Sequence, residues 1–233
     1  MNTFLHTIFP LRCVLCDDTC KNAHRFCDDC FSSLPKTTSR CLQCALPLSS
    51  NDHHRCGACM ANPPPFDTTI ALFNYEKPIA TLLWRLKFSG DLSIAKLLSE
   101  CWIDYLSATQ DKLPELIIPV PLHPVRLKER GFNQALEIAK PIGRHFKIPV
   151  EVRTCVRIKH TKPQSSLSAS TRKNNVINAF GLSYSLTASH VVILDDVMTT
   201  GSTVTQIAHL LRKVGVQRID VWCCARAGAL FFP

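Results

Sequence analysis

Two neighbouring carboxylates followed by a run of hydroxyl side chains are the residues of this chain best suited to chemistry. They follow four apolar residues, 191–194, in a pattern typical of a buried parallel strand. The apolar spacing of residues 203–214 then predicts a helix that Gly215 ends. The turn between strand and helix therefore holds Asp195, Asp196, Met198, Thr199, Thr200, Gly201, Ser202 and Thr203.

This turn suits a sugar phosphate. Backbone N–H groups at the start of a helix attract an anion, the hydroxyls add donors, and Gly201 lets a phosphate approach the backbone closely. The carboxylates would repel a phosphate, so they fit the hydroxyls of a ribose or a magnesium ion bridged to it. An Asx turn with an N-cap is the purely structural interpretation. Two acids and four hydroxyl residues around one glycine favour a ligand site.

Residues 194–203 resemble the phosphoribosyl pyrophosphate (PRPP) motif of type I phosphoribosyltransferases. In that family the paired acids contact the ribose and the turn wraps the 5-phosphate. The resemblance therefore implies PRPP binding by residues 195, 196 and 198–203, with Mg²⁺ accompanying the ligand. The segment has neither the Gly-Lys-Ser/Thr of a nucleotide P-loop nor a Gly-x-Gly-x-x-Gly dinucleotide loop.

A second candidate anion site follows the apolar residues 116–120. His123, Arg126 and Arg130 lead, with Lys128, into a predicted helix, although acids are normally preferred at that end. The alternative interpretation is an exposed first turn that happens to be basic. In the phosphoribosyltransferases this position holds the pyrophosphate, so the resemblance assigns that role to His123, Arg126 and Arg130. The segment 157–172 resembles the mobile loop that closes over PRPP, which would place Lys159, Thr161 and Gln164 near the pyrophosphate.

Four Cys-x-x-Cys pairs dominate the first 59 residues, which contain nine of the 13 cysteines. A two-residue spacer lets both thiolates of a pair bind one tetrahedral zinc. Sequential pairing would give two ribbons, whereas interleaved pairing and a single occupied zinc are the alternatives. A site with four thiolates has no open position, so this zinc is expected to be structural and to help the segment fold. The predicted ligands are Cys13, Cys16, Cys27, Cys30, Cys41, Cys44, Cys56 and Cys59.

The order of these motifs resembles the ComF/GntX family of competence-associated phosphoribosyltransferase-like proteins. Residues 118–139, which include Pro-Leu-His-Pro-Val-Arg-Leu-Lys-Glu-Arg-Gly-Phe-Asn-Gln, and residues 157–180 carry the resemblance together with the cysteine pairs. It implies handling of single-stranded transforming DNA at the cytoplasmic side of the inner membrane. The implied partners are a helicase-like ATPase and recombination proteins.

Composition is that of an ordinary globular protein, with 46% apolar and 19% charged residues. No segment reaches the ~18 uninterrupted apolar residues of a membrane helix, and residues 1–15 lack the features of a signal peptide. We therefore expect a cytoplasmic protein with no transmembrane segment. The net charge is +9, and residues 151–190 contribute six basic and one acidic side chain. Such a patch attracts polyphosphate or nucleic acid, unless it is simply a solvated loop.

Alternating apolar and amphipathic segments after the Pro-rich residues 62–65 predict an α/β domain, a doubly wound, mostly parallel sheet of the type I phosphoribosyltransferase kind. Residues 1–62 are predicted to be the small double zinc-ribbon module and residues 66–233 the phosphoribosyltransferase-like domain. The predicted strands are 68–75, 116–120, 150–158, 191–194 and 218–225, and the predicted helices 80–88, 92–106, 132–146 and 203–214.

Two functions fit these expectations. The first is a PRPP-binding, phosphoribosyltransferase-like protein that handles single-stranded DNA in natural competence. The second is an active phosphoribosyltransferase of nucleotide or related metabolism, whose acceptor the sequence does not identify. In the second case, loss of pyrophosphate would be assisted by magnesium and by basic side chains.

Overall fold

A four-stranded parallel sheet forms the centre of the molecule. The computed structural model describes residues 11–20, 25–36, 39–48, 54–109, 112–159, 179–184 and 186–228. The sheet has the strand order β1-β6-β5-β2, and β3 and β4 form a separate antiparallel pair. The strands are β1 (Thr68–Asn74), β2 (Leu116–Pro119), β3 (Cys155–Arg157), β4 (Phe180–Leu182), β5 (His190–Met198) and β6 (Arg218–Arg226).

Helices connect and cover these strands, as the alternation of the sequence predicts. Most bounds agree with the prediction within two residues. They are α1 (Asp28–Ser32), α2 (Gly57–Ala61), α3 (Ile79–Ser89), α4 (Leu92–Ala108), α5 (Pro124–Arg130), α6 (Gln134–Phe146) and α7 (Ser202–Lys213).

Three predicted elements differ from the structure. The helix predicted over 132–146 begins at Gln134, because Asn133 caps it by accepting hydrogen bonds from the N–H groups of residues 135 and 136. The basic segment before it forms α5, which Gly131 ends in the left-handed region at φ 81°. The strand predicted over 150–158 is reduced to β3. Finally, β5 continues past Leu194 through both acids to Met198.

The sheet is buried on both faces, which explains the uninterrupted apolar runs of its two central strands. Residues of β5 alternate between two apolar clusters: Val192 and Leu194 face the cluster that contains α3, α4 and α6. Val191 and Ile193 face the cluster that contains α7. This arrangement is the predicted doubly wound α/β fold.

Each cysteine ribbon packs against a different face of the sheet. Phe26 and Leu34, next to the first ribbon, join the cluster of α3 and α4. Cys41 and Cys44 of the second ribbon join the cluster of α7. The Thr69 hydroxyl also donates to the Gln43 carbonyl at 2.6 Å, which ties this ribbon to β1. The division into residues 1–62 and 66–233 stays a prediction, and core contacts cross it.

The carboxyl ends of β2 and β5 lie side by side, so the loops that follow them meet at one edge of the sheet. Pro119 pairs with Leu194, and the N–H of Val120 donates to the Leu194 carbonyl at 2.9 Å. Ligands of open parallel sheets bind at this edge. The two predicted anion sites therefore share one location.

Candidate PRPP-binding site

The turn of residues 199–203, called the phosphate turn after its predicted ligand, connects the end of β5 directly to the start of α7. Its hydroxyls are ordered within the turn: Thr200 Oγ1 lies 2.8 Å from Ser202 Oγ and accepts from the Ser202 N–H at 3.3 Å. Thr199 and Thr203 are partly exposed. Because α7 begins at Ser202, its first N–H groups belong to this turn. A small pocket of about 20 Å³ is lined by Asp195 and residues 197–204.

Gly201 is required by the geometry of this turn. Its φ of 77° lies in the left-handed region that side chains other than glycine rarely adopt. A Cβ at this position would lie only 2.7 Å from the Met198 Cε atom. Met198, one of the residues predicted to take part in PRPP binding, is buried beneath the turn, where its Cε atom lies close to Gly201.

Arg226 fixes the turn from below. This guanidinium is 5% exposed at the end of β6, where Arg226 is in register with Met198. It donates to the carbonyl of Met198 at 3.1 Å and also to the carbonyl of Thr199. Its Nε donates to the carbonyl of Cys44 at 2.8 Å. One side chain thus joins the phosphate turn to the second cysteine ribbon.

The two acids have different surroundings. Asp196 is 3% exposed, and its Oδ2 atom lies 2.5 Å from the Lys87 Nζ at the end of α3. Its Oδ1 accepts from Gln134 Nε2 at 3.4 Å. Asp195 is partly exposed, and its Oδ1 accepts from the N–H of residue 196 at 2.9 Å. Asp195 is therefore the acid that faces the ligand space, whereas Asp196 is held by a cation of the protein.

These surroundings shift the pKa values in opposite directions. Burial, followed by the negative charge of Asp196, raises the pKa of Asp195 well above its ordinary value. Burial acts in the same direction on Asp196, but the Lys87 ammonium outweighs it and lowers the pKa of Asp196. The same ion pair outweighs burial at Lys87 and raises the pKa of its ammonium. Lys87 and Asp196 are thus both charged at neutral pH.

Basic side chains line a cavity that includes Lys87, the partner of Asp196. Lys87, Arg126 and Arg130 line a space of about 210 Å³ together with Phe88, Gly90, Glu129 and Phe132. Arg130 donates to Gln134 Oε1 at 2.6 Å, and Gln134 in turn contacts Asp196. Arg126 pairs with Glu129 at 3.3 Å. Two of the three predicted pyrophosphate ligands therefore line one cavity with Lys87, the partner of Asp196.

His123 has a different position from Arg126 and Arg130. Its Nδ1 accepts from the N–H of Val125 at 3.3 Å and so caps α5. It is not among the described residues that line the basic cavity. Of the predicted mobile loop, Lys159 is exposed after β3, while Thr161 and Gln164 lie outside the described residues.

The cysteines form two separate four-thiol clusters. Cys13, Cys16, Cys27 and Cys30 make the first, and their sulfur atoms lie within 4.8 Å of one another. Residues 41, 44, 56 and 59 make the second, and their sulfur atoms also lie within 4.8 Å of one another. The Sγ atoms of Cys44 and Cys56 lie 3.6 Å apart. Two sulfur atoms bound to one tetrahedral zinc, with Zn–S bonds of about 2.3 Å, would lie ~3.8 Å apart. The pairing is therefore sequential, and interleaving is wrong.

Backbone amides favour the thiolate form of one cysteine in each cluster. At Cys13, burial acts to raise the pKa, but N–H groups led by that of Cys27 lower it to about 6. At Cys41, burial is again outweighed, here by N–H groups led by that of Cys56, and the pKa falls to about 7. Thiolate sulfur is the form that binds zinc. The second cluster is buried throughout, in keeping with a structural metal.

Comparison with known proteins agrees with both parts of the chain. The double zinc ribbon domain model matches residues 4–60, and the phosphoribosyl transferase domain model matches residues 133–230. Competence protein F of Haemophilus influenzae is 37% identical over 94% of this chain and 98% of its own length. The chain belongs to the competence protein F family. This confirms the predicted ComF-type resemblance and, with the parallel sheet and the cysteine clusters, the predicted fold class.

Other members of the family align over the same extent. The DNA utilization protein YhgH of Escherichia coli K12 is 36% identical over 93% of this chain and 97% of its own length. Competence protein ComFC of Streptococcus pneumoniae is 24% identical over 93% of this chain and its entire length. A purine phosphoribosyltransferase structure from Pyrococcus horikoshii matches 59% of this chain and 73% of its own, with 18% identity and a TM-score of 0.31, too low to support an argument. Within the described residues, no helix combines the length and hydropathy of a membrane span.

The carboxylates fit a magnesium ion in one way only. Oxygen ligands suit Mg²⁺, which keeps several waters and binds through one or two carboxylates plus the phosphates of a ligand. Asp196 Oδ2 is already paired with Lys87. Asp195 is therefore the carboxylate that would hold the ion, which would neutralise part of the pyrophosphate charge when bound.

Sequence reasoning missed three residues of this site: Lys87 and Gln134 contact Asp196, and Arg226 holds the phosphate turn. Arg157 of β3, the first residue of the predicted mobile loop, lies near enough to Asp195 for their charges to interact. Arg226 had a readable signal, because an arginine that directly follows a buried apolar strand needs a partner for its charge. Lys87 had none, since a lysine near a helix end is usually solvated.

Proposed function

We propose that this protein binds PRPP at the edge formed by β2 and β5 and handles single-stranded DNA during natural competence. The observation that carries the proposal is the adjacency of Asp195 and Asp196 to a phosphate turn on one side and a basic cavity on the other. A ribose fits this arrangement when it carries a phosphate at one end, for the turn, and a more highly charged anionic group at the other, for the basic cavity.

Each part of PRPP has a matching group in this proposal. The 5-phosphate binds the turn of residues 199–203, and the ribose hydroxyls bind Asp195. The pyrophosphate binds Arg126 and Arg130, whose side chains are partly exposed toward the cavity. Lys87 neutralises Asp196, so the second acid does not repel the incoming polyphosphate.

The cellular part of the proposal rests on the relatives and on charge. Relatives that span nearly this whole chain are called competence proteins and DNA utilization proteins. The net charge of +9 favours association with a polyanion. We propose that the protein acts at the cytoplasmic side of the inner membrane, with a helicase-like ATPase and recombination proteins as partners.

Calorimetric titration with Mg-PRPP tests the binding step. Wild type is expected to bind, and Asp195→Asn is expected to bind at least 10-fold more weakly, because an amide holds neither the metal nor the hydroxyls as strongly. Asp104→Asn, which removes an exposed acid of α4, is the matched control for charge. Equal PRPP affinity in Asp195→Asn and wild type would overturn the site assignment.

A second candidate function is phosphoribosyl transfer itself. A cavity of about 440 Å³ adjoins the carboxyl end of β2, and its lining is mostly apolar, with Leu122, Phe132, Val156 and Arg157 among the residues. A planar acceptor would fit such a lining. Pyrophosphate release from Mg-PRPP, measured with and without single-stranded DNA, separates the two candidates. Release that depends on Asp195 favours the enzyme, whereas binding without release favours a PRPP-responsive DNA-handling protein.

A further inference from the structure

Helix α3 exposes two large aromatic side chains next to the basic cavity. Trp84 and Phe88 are 56% and 61% exposed. They are four residues apart and therefore lie on one face of the helix. Their ring centroids are 5.6 Å apart, with ring planes inclined by 37°. Trp84 is the exception among the three tryptophans, because Trp102 and Trp222 are at most 3% exposed.

A guanidinium completes this surface. The Arg130 Cζ atom lies 5.8 Å from the centroid of the Phe88 ring, within the range of a cation–π contact. Arg130 and Phe88 also line the cavity that Lys87 and Arg126 share. The aromatic face is therefore continuous with a positively charged space.

Exposed aromatic rings beside cations suit single-stranded nucleic acid better than a duplex or a protein partner. Stacking on an aromatic ring or on the plane of an arginine holds an unpaired base, and adjacent cations hold the phosphates. A duplex offers no unpaired base to such rings. A protein partner would be expected to cover an apolar core with few charges, whereas here Lys87, Arg126 and Arg130 line the cavity beside Phe88, together with the acid Glu129.

We propose that Trp84, Phe88 and Arg130 form a stacking platform for single-stranded DNA, with the DNA phosphates held in the adjoining cavity by Arg126 and Lys87. This inference rests on the proposed DNA-handling function and assigns it a surface. It places the DNA on α3 and α5, rather than on the basic residues 151–190 that the sequence singled out. The platform shares Arg126 and Arg130 with the proposed pyrophosphate site, and Arg130 also contacts Gln134, which contacts Asp196.

Tryptophan fluorescence tests the platform in the intact, zinc-loaded protein. Trp84 is the exposed tryptophan, so stacking of a thymine on it is expected to quench the solvent-exposed, long-wavelength part of the emission when oligo(dT) is added. The same titration with a duplex of equal length is expected to quench much less. Equal quenching by duplex and single strand would overturn the proposal.

Variants measured by anisotropy of a labelled oligo(dT) supply the second test. Trp84→Ala is expected to weaken binding on the order of 10-fold, since base stacking is worth about 1–3 kcal/mol per base. Trp84→Phe retains a ring and is expected to recover most of the affinity. Tyr184→Ala removes another exposed aromatic side chain, at 63% exposure, from the cavity beside Glu115 and Glu151, and is expected to bind as wild type.

The outcomes separate this inference from the proposed function. If wild type binds oligo(dT) and Trp84→Ala binds it equally well, the platform is wrong and the DNA-handling function stands. If wild type binds no single-stranded DNA, both fail, while PRPP binding is judged separately by calorimetry, which Trp84→Ala is expected to leave unchanged. A shift of Trp84 emission with protein concentration, but not with DNA, would instead identify the surface as a protein interface and overturn the platform.

Discussion

Lys87 and Asp196 form a partly buried ion pair, with 2.5 Å between Nζ and Oδ2, at the point where a phosphoribosyl ligand is expected to bind. The Lys87 side chain is 24% exposed and that of Asp196 4%. The ion pair connects α3, which carries the aromatic surface, to β5, which carries the acids. Because Lys87 neutralises Asp196, these three side chains together carry one net negative charge when Asp195 is ionised. Without Lys87 the two acids would carry two.

Removal of either partner of this pair is expected to destabilise the protein strongly. Lys87→Met leaves the Asp196 carboxylate buried without its cation, and Asp196→Asn leaves the ammonium without its anion. Each is expected to lower the free energy of unfolding by about 3 kcal/mol. The double variant Lys87→Met/Asp196→Asn leaves no unpaired charge and is expected to lose less than the sum of the two. Urea denaturation of the four proteins gives the coupling energy, and additive losses would contradict the ion pair.

Asp195→Asn is expected to have the opposite effect on stability. Burial and the charge of Asp196 raise the pKa of Asp195, so ionisation of this acid opposes folding. Its contribution to stability is complete below the unfolded pKa of about 3.8 and is lost as pH rises through the higher folded pKa. An amide does not ionise, so the variant is expected to be more stable than wild type at neutral pH by about 1 kcal/mol or more.

Thermal unfolding of Asp195→Asn and wild type from pH 4 to pH 8 checks this prediction. The difference between their melting temperatures should be small at pH 4 and should grow with pH. A constant difference, or a less stable variant at pH 8, would contradict the raised pKa. If Asp195→Asn is more stable than wild type and also binds PRPP more weakly, then Asp195 serves binding and lowers the stability of the protein.

The fold followed from the sequence because its signals are local. The apolar run before Asp195, the helical spacing after Thr203 and the paired cysteines each indicate one element or one metal site. The capping of α6 by Asn133 was also readable, yet the longer apolar pattern obscured it. The end of β5 could not be predicted, because two successive acids usually mark the end of a strand, whereas here the strand pairing continues through Asp195 and Asp196 to Met198.

The site was predictable only in its contiguous part. Residues 195–203 lie together because they are adjacent in the chain. Lys87 meets Asp196 across 109 positions of sequence, as their numbers show, and Cys44 meets Arg226 across 182. Such contacts depend on how α3 and the second ribbon pack on the sheet. Composition and periodicity do not encode these packing relationships.

Gly201→Ala is expected to abolish phosphate binding. The substitution forces a side chain into the left-handed region within the turn itself, and Met198 Cε would have to shift because the new Cβ would lie 2.7 Å from it. Gly215→Ala is the matched control, since Gly215 has φ 91° but no heavy atom within 4 Å of the point that an alanine methyl group would occupy. Both variants are expected to lose about 1–2 kcal/mol of stability from backbone strain. Only Gly201→Ala should lose affinity for inorganic phosphate and Mg-PRPP by calorimetry, and a similar loss in Gly215→Ala would contradict a local cause.

The second zinc site is expected to support PRPP binding, whereas the first is not. Arg226 donates to the Cys44 carbonyl and to the Met198 carbonyl, so disorder at residues 41–59 would release the phosphate turn. Cys56→Ser removes a ligand of the second site and Cys27→Ser one of the first. Both variants should lose bound zinc and some thermal stability, because each ribbon packs on the core.

Calorimetry with Mg-PRPP well below the melting temperature distinguishes the two sites. Cys56→Ser is expected to bind at least 10-fold more weakly than Cys27→Ser, which should resemble wild type. Arg226→Met, with both zinc sites intact, is expected to reproduce the loss, because it breaks the same connection at its other end. Normal affinity in Cys56→Ser together with a loss in Arg226→Met would show that β6 alone holds the turn. The zinc would then stabilise the domain without any influence on its ligand.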